Sequence, residues 1–504
     1  MNDNSGVSGN KLSPRIIPRD AHTMSRQQVS PNALRVLYRL KDAGFQAFLV
    51  GGCVRDILLG RTPKDFDVAT NALPEEVRQL FRNCRLIGRR FRLAHVIFGQ
   101  EIIEVATFRS SGAPSLDDEP SHEEGAESDD RESDSDELVV ADEAPMAASE
   151  HRVLDAGGRI LRDNIYGTID DDVWRRDFAC NALYYNIADF SIWDYVDGMA
   201  DIAARRLRLI GDPVTRYRED PVRMLRAARF EAKLGFELDA ASLAPIAELG
   251  GLLANVPPAR LFDEINKLFL TGHGRASLPV LRRHGLLRVI LPAVEDFLGR
   301  HPGSPVEKLL VNGLANTDLR VQSDKPVTPV FLFALLLYGP IAAYIETLPR
   351  ERWDDPQSIL DGCDRALRQA HQRVTIPRRI ALGVREMFAL QPRLENPRGR
   401  RALRLLEQSR FRAAYDLFLL RAQVGMASPE VARWWTDLQA ASPEQRDALA
   451  SRLGSGGGSR NAADESDVTR AGGDDAGAAP DGRRRRRRRG GRGRRRGGAG
   501  ARVD

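Results

Sequence analysis

The residues best suited to chemistry begin at Val50-Gly51-Gly52-Cys53-Val54-Arg55-Asp56, followed shortly by Lys64-Asp65-Phe66-Asp67-Val68. On a strand, Asp65 and Asp67 stand two apart and project from one face, so their carboxylates can converge on one or two divalent cations. The glycines remove side chains where a backbone must approach a phosphate closely, and Arg55 can neutralise charge there. Alone, a D-x-D is most often a surface turn; the upstream glycine pair and a third acid favour the metal reading. Glu104, in EIIEVATFR, is one candidate for that acid, against the plainer reading of a solvent-facing strand residue. Asp177, in Arg175-Arg176-Asp177-Phe178, competes with it, although an acid also suits the first turn of a helix. The sequence leaves this choice open. Two adjacent arginines are costly near a core unless they meet an anion, and a triphosphate is one.

A second cluster is Arg218-Glu219-Asp220-Pro221-Val222-Arg223-Met224-Leu225-Arg226. Asp220 and Arg223 are three apart and would be neighbours on a helix face, an acceptor beside a planar donor. Such a pair can accept the exocyclic amine of adenine or cytosine and donate to the adjacent ring nitrogen. In isolation the same segment reads as an ordinary surface ion pair.

These residues need a mixed α and β frame. SPNALRVLYRLKDAGF has helical spacing through Leu34, Leu37 and Leu40 and stops at Gly44, and QAFLV then reads as a strand running into the glycine turn. TPKDFDVATN alternates as a strand, Pro74-Glu75-Glu76 opens a helix, and HVIFG and EIIEVATFR read as paired strands. ILRDN and YGTID read as strands, while in VWRRDFACNALYYNI residues Phe178, Leu183 and Tyr184 fit a buried helix face. Beyond Asp212 the spacing is helical almost to residue 452. Pro329–Ile345 is too short for a membrane span, is interrupted by Gly339-Pro340, and reads as a buried helix.

The 504 residues carry a net charge of only +5, but it is unevenly spread. Residues 117–143 hold fourteen acids and one Arg, and residues 483–496 hold eleven Arg. The stretch 111–151 is Ser, Asp, Glu, Gly and Pro with almost no aromatics, which predicts a disordered acidic insertion. A moderately basic body with an Arg-rich tail points to a polyanionic partner, most often nucleic acid. The four cysteines are too widely spaced for a zinc site or a disulfide framework, and the N-terminus lacks a signal-type apolar core, so a cytoplasmic protein without a membrane segment is expected.

In this order, LVGGCVRDILLG, KDFDVAT, IEVATFR, RRDFACNAL and REDPVRMLRAARF resemble the class II nucleotidyltransferases, the family of bacterial poly(A) polymerases and tRNA CCA-adding enzymes. The resemblance covers roughly residues 30–275. Leu86 to Val96, LIGRRFRLAHV, looks like the poly(A) polymerase version of that segment, and the Arg-rich C-terminus is similar to that of the bacterial poly(A) polymerases. Cys53 stands at a variable glycine position, and the acidic insertion is longer than the family leads one to expect.

The resemblance implies an α+β chain with a polymerase-β-like nucleotidyltransferase head followed by an all-helical neck and body. The expected divisions are a disordered arm (1–28), the head (29–211, with the insertion 111–151), a neck for base selection and RNA binding (212–275), a body (276–453) and a disordered Arg-rich tail (454–504). It further implies two Mg²⁺ ions on Asp65 and Asp67, ATP as substrate, and RNA 3′ ends as partner. Gly51, Gly52 and Arg55 would lie along the phosphates, with Arg176, Asp177 and Asn181 near the sugar and triphosphate. Asp220 and Arg223 would select the base; Glu104 and Asp177 both stand as acidic-site candidates. Arg483, Arg484, Arg485, Arg486, Arg487, Arg488 and Arg489, with Arg492, Arg494, Arg495 and Arg496, would contact RNA phosphates without regard to sequence. Template-independent polyadenylation, promoting RNA turnover, is the expected function. The rivals are a CCA-adding enzyme and, in another class, an RNA-binding protein without catalysis.

Overall fold

Short apolar runs bounded by turns become the strands of one mixed sheet. In the computed structural model, which describes residues 13–88, 92–109, 153–154, 160–162, 166–353 and 355–455, the strands are β1 Arg15–Ile17, β2 Ala47–Val50, β3 Asp67–Thr70, β4 Cys84–Ile87, β5 Leu93–Phe98, β6 Glu101–Thr107, β7 Val153–Leu154, β8 Ile160–Arg162, β9 Leu183–Asn186 and β10 Ile192–Asp194. Eight of them form the sheet, ordered β1-β10-β9-β2-β3-β6-β5-β4, while β7 and β8 pair separately. Only β3 and β6 run parallel within the large sheet, and their register sets Asp67 opposite Glu104.

Both faces of the sheet are covered. Leu49, Val68, Val105 and Leu183 pack with Val36, Leu37 and Leu40 of the Pro31–Asp42 helix, which is capped by Ser30 accepting from Ala33 N at 3.0 Å. Phe48, Val50, Ala69 and Tyr184 pack on the other side with Phe108 and Val173. With both faces buried, a strand loses its apolar-polar alternation. That corrects the helix expected over Phe178–Tyr184: the Ile169–Arg175 helix ends, a short 3-10 turn spans Ala179–Asn181, and Leu183 and Tyr184 lie on β9. Tyr166 of the YGTID segment makes only an isolated bridge to Arg109.

The expected N-terminal arm is also corrected. Arg15–Ile17 adds an edge strand on β10, and Met24 is fully buried, so order starts well before Ser30. Backbone pairing at a sheet edge supplies this order, and it leaves little apolar signal in the sequence.

The strands β11 Arg206–Leu207 and β12 Glu237–Leu238 pair in parallel and join the end of the head to the helices beyond it. From Pro213 to Ser455 the described chain is otherwise helical. Pro329–Ile345 is one buried helix that continues through Gly339-Pro340 instead of breaking there. A Cβ at Gly339 would come within 2.6 Å of the Phe297 ring, so a glycine is required at this helix crossing. Among the described residues no helix is long and apolar enough to cross a membrane. The described residues up to Leu453 form one compact unit. The acidic insertion 111–151 and the tail arginines 483–496 lie outside the described residues.

Candidate active site

The strand β2 ends in a turn that only glycine makes easily. Gly51 has φ of 82°, and the Gly52–Leu58 helix starts behind it. A Cβ on Gly51 would stand 3.6 Å from Asp67 Oδ2 and 3.8 Å from Arg176 Nη1. The bare backbone therefore sits between a carboxylate and a guanidinium, with space for a phosphate to approach. Cys53, just inside the helix, is buried and donates to Val50 O; burial pushes its thiol up to about 12, which makes it packing material and no nucleophile.

Gly51 and Gly52 border a cavity of about 350 Å³, together with Asp65, Asp67 and Glu104. Asp65 precedes β3 and is exposed, Phe66 turns into the core, and Asp67 opens the strand half-buried, so alternation gives both carboxylates to the cavity. Glu104 arrives from β6 by register, and His95 Nε2 of β5 lies 3.5 Å from its Oε1. No ready-made cage of three or more His, Cys, Asp or Glu side chains exists among the described residues. The donor set nevertheless fits magnesium, which takes hard oxygen ligands and usually binds through one or two carboxylates plus substrate phosphates.

The opposite wall is cationic. Arg175, Arg176, Arg226, Arg229 and Lys233 line the same cavity, with Phe230 among them. Arg176 is held from behind: Asp172 Oδ2 accepts from its Nε at 3.2 Å and its Nη2 at 3.0 Å, while Nε also donates to Tyr184 Oη at 2.8 Å. The same carboxylate accepts from Tyr184 Oη at 2.7 Å and, through Oδ1, from Arg175 Nε at 2.8 Å. Burial by itself would raise the Asp172 carboxyl, yet Arg176, Arg175 and the Tyr184 hydroxyl hold it well below the usual carboxylate range. Burial lowers Lys233, and the positive charges of Arg55, Arg229 and Lys64 lower it further against the opposing pull of Asp56.

Asp177 also lines the cavity but is engaged elsewhere. Its Oδ2 accepts from Arg226 Nε and Nη2, and its Oδ1 accepts from Phe178 N at 2.7 Å and Asn181 Nδ2 at 3.5 Å. Arg55, only 1% exposed, donates from Nη1 to Asn181 Oδ1 at 2.5 Å and from Nε and Nη2 to Asp56 Oδ1. Arg55 and Asn181 thus reach the cavity as a hydrogen-bonded pair.

Asp220 and Arg223 are not the adjacent acceptor-donor pair expected from their spacing. Asp220 is the C-cap of the Pro213–Glu219 helix, with Oδ2 accepting from Arg260 Nη2 at 2.8 Å and Oδ1 from Val222 N. Arg223 donates from Nη1 to Arg216 O at 2.8 Å and to Glu219 Oε2 at 3.3 Å, leaving its buried Nε without a hydrogen bond. Neither residue borders the head cavity. Pro221 between them ends one helix and begins the next, so they do not share a single helical face.

Arg226, Arg229 and Lys233 were missed as site residues, yet their spacing of three and four along the Val222–Leu234 helix is legible as one cationic stripe. Asp172 and Tyr184 carry no comparable signal, because their role depends on strand β9 passing behind the Ile169–Arg175 helix.

Residues 47–208 match the poly A polymerase head domain, residues 235–298 match a segment described as "probable RNA and SrmB-binding site of polymerase A", and residues 354–492 match the polymerase A arginine-rich C-terminus. The chain is 43% identical over 443 residues to poly(A) polymerase I of Salmonella typhimurium, covering 87% of this chain and 88% of that one. It is 31% identical over 268 residues to the CCA-adding enzyme of Lactobacillus helveticus, covering 53% of this chain and 56% of that one. A solved tRNA-processing enzyme in an apo form shares the fold, with a TM-score of 0.53 at 19% identity, over 86% of this chain and 100% of that one.

Proposed function

The chain belongs to the family of bacterial poly(A) polymerases, and from that membership we propose that it extends RNA 3′ ends with adenylate from ATP, without a template and with release of pyrophosphate. The observation that carries this reading is the cavity itself, with Asp65, Asp67 and Glu104 facing a wall of arginines across a glycine turn. Carboxylates on one side suit cations, and guanidiniums on the other suit a triphosphate.

In this reading the RNA 3′ oxygen forms a bond to the α-phosphorus as the bond to the β-phosphate oxygen breaks, and the hydroxyl proton leaves to solvent. Asp65 and Asp67 would hold two Mg²⁺ ions, with Glu104 as the third carboxylate because Asp177 already neutralises Arg226. Bound there, magnesium would supply positive charge to offset that of the triphosphate and of the departing pyrophosphate. The chain's own residues orient the substrate. Arg176 meets the phosphates beside Gly51 in a geometry fixed by Asp172 and Tyr184, and Arg229 and Lys233 compensate the remaining charge. Arg55, beside Gly51 and Gly52, would lie along the phosphates, with Asn181, which it holds, near the sugar and triphosphate.

Base selection is assigned to Asp220 and Arg223, which stand outside the cavity lining at the start of the helical part, Asp220 held by Arg260 and Arg223 by Arg216 O and Glu219. The arginines of residues 483–496 would add sequence-independent phosphate contacts. Tailing of this kind would mark RNA for turnover in the cytoplasm.

Incubation with Mg²⁺, a generic RNA, a tRNA lacking its 3′ end and each NTP separately tests the reading. ATP-specific extension of generic RNA is expected. Ordered use of CTP and then ATP on the tRNA alone would instead establish the CCA-adding reading, which the 31% identity to a CCA-adding enzyme over 268 residues supports.

A further inference from the structure

The helical body carries a cavity of about 470 Å³ that shares no lining residue with the catalytic one. It lies between the Pro305–Gln322, Pro329–Ile345 and Phe411–Gln423 helices, outside the residues that match the RNA-binding segment. Its floor is apolar, built from buried Val330 and Leu420 with half-buried Phe331 and Leu419. Leu319 stands at its lip with 61% of its surface exposed, high for a leucine that packing could have covered. Three guanidiniums, those of Arg320, Arg410 and Arg412, line the cavity against one carboxylate, Asp416.

Two of the arginines are anchored in ways that preset the rim. Arg320 donates from Nε and Nη2 to Pro326 O, which pins the loop closing one side. Arg412 Nε lies 3.2 Å from Asp416 Oδ1. Arg410 Nε is buried without a hydrogen bond, its nearest acid being Glu386 Oε2 at 3.5 Å. Burial pushes the Asp416 carboxyl up, against the pull of Arg412 and Arg320.

An apolar floor under a cationic rim is the chemistry of a nucleotide: a base lies on the hydrophobic surface while its phosphate meets guanidinium. The volume falls in the range of small-ligand pockets, about 300–1,000 Å³. Resting on the polyadenylation reading, we propose that this cavity seats an unpaired nucleotide of the RNA substrate, upstream of the 3′ end that reacts in the head. The occupant is RNA and not an acidic protein segment because the enzyme's substrate already delivers both parts, a flat base and a phosphodiester.

Charge at the lip gives a test with opposite signs. Leu319 and Arg412 are both exposed, so replacing either leaves the core intact. Leu319→Glu and Arg412→Glu should each weaken binding of the full-length protein to a 20-nucleotide oligo(A), on the order of tenfold for the double variant. Leu319→Lys should hold or tighten it. The KM for ATP and the kcat at saturating RNA should stay as in the unsubstituted protein. A 4-thiouridine-containing RNA should crosslink to peptides of the Pro305–Gln322 or Phe411–Gln423 helix. Equal RNA affinity and salt dependence across all three single variants would overturn the proposal, as would weakening by Glu and Lys alike, which marks a packing effect. Absence of ATP incorporation by the unsubstituted protein would instead defeat the polyadenylation reading, so the two failures are distinguishable.

Discussion

Asp177 and Arg226 form a bidentate ion pair between the head and the helix that leaves it: Asp177 Oδ2 accepts from Nε at 2.9 Å and from Nη2 at 2.5 Å, and each side chain is 7% exposed. The two residues are 49 positions apart, so this carboxylate, at the edge of the cavity, ties the head to the Val222–Leu234 helix. A buried pair of this kind is costly to break, because the remaining charge stays in a low-dielectric site.

Asp177→Asn should therefore act mainly on stability, and Asp67→Asn mainly on catalysis. Removing one partner of a buried pair costs on the order of 3–5 kcal/mol, which thermal or urea unfolding would register. Asp67→Asn should leave unfolding nearly unchanged and reduce adenylation by several orders of magnitude while RNA binding persists. Asp65→Asn should behave like Asp67→Asn. A stable but inactive Asp177→Asn protein would return that residue to the catalytic set.

Arg176 depends on Asp172 and Tyr184 for its position, so changing either should disturb ATP use without touching ATP. Asp172→Asn and Tyr184→Phe are expected to lower kcat/KM for ATP roughly tenfold to a hundredfold, since small misplacements of orienting groups have effects of that size. The Asp172 carboxyl is depressed in the folded state, so its stabilising contribution is complete above the ordinary carboxylate pKa and is lost as pH falls toward the depressed value. Acid unfolding of Asp172→Asn should accordingly show a shallower pH dependence. An unchanged acid profile would mean that the pair is not coupled to folding.

Legibility in the sequence followed the range of the interactions. Asp65, Asp67 and the β5–β6 hairpin that delivers Glu104 were readable because alternation and turn residues are local. The Pro329–Ile345 helix was readable from its apolar run. Strand β1 was missed because its order comes from backbone pairing with β10, and Leu183-Tyr184 was misassigned because β9 is buried on both faces. Spacing predicts Arg223 as the neighbour of Asp220, whereas Asp220 pairs with Arg260, 40 positions away. Such pairings are set by tertiary packing, which spacing within one segment does not encode.

Arg223→Ala should relax nucleotide choice more than it weakens RNA affinity. Its Nη1 holds Arg216 O and Glu219, which fixes the plane of the guanidinium. A bidentate base contact is worth about 1–3 kcal/mol of discrimination, so the ATP-to-GTP and ATP-to-CTP ratios of kcat/KM should fall by about tenfold. Unchanged ratios would place base recognition elsewhere in the neck.

Lys233 gives the cavity an alkaline limit. Burial and the charges of Arg55, Arg229 and Lys64 make its ammonium easier to deprotonate than an ordinary lysine's, so in the free enzyme the proton is lost earlier as pH rises. A bound triphosphate opposes that loss, because its negative charge favours the protonated form. ATP binding should then take up a proton between the free and bound pKa values, and the KM for ATP should climb as pH increases through that window. Lys233→Arg keeps the charge throughout and should flatten the climb. Lys233→Met should raise the KM at neutral pH towards the unsubstituted protein's alkaline level and abolish its alkaline dependence. Measuring KM for ATP from neutral pH into the ordinary lysine range, at fixed Mg²⁺ and saturating RNA, separates these outcomes. If Lys233→Arg retains the full alkaline rise, the titrating group is another residue and Lys233 contributes only static charge.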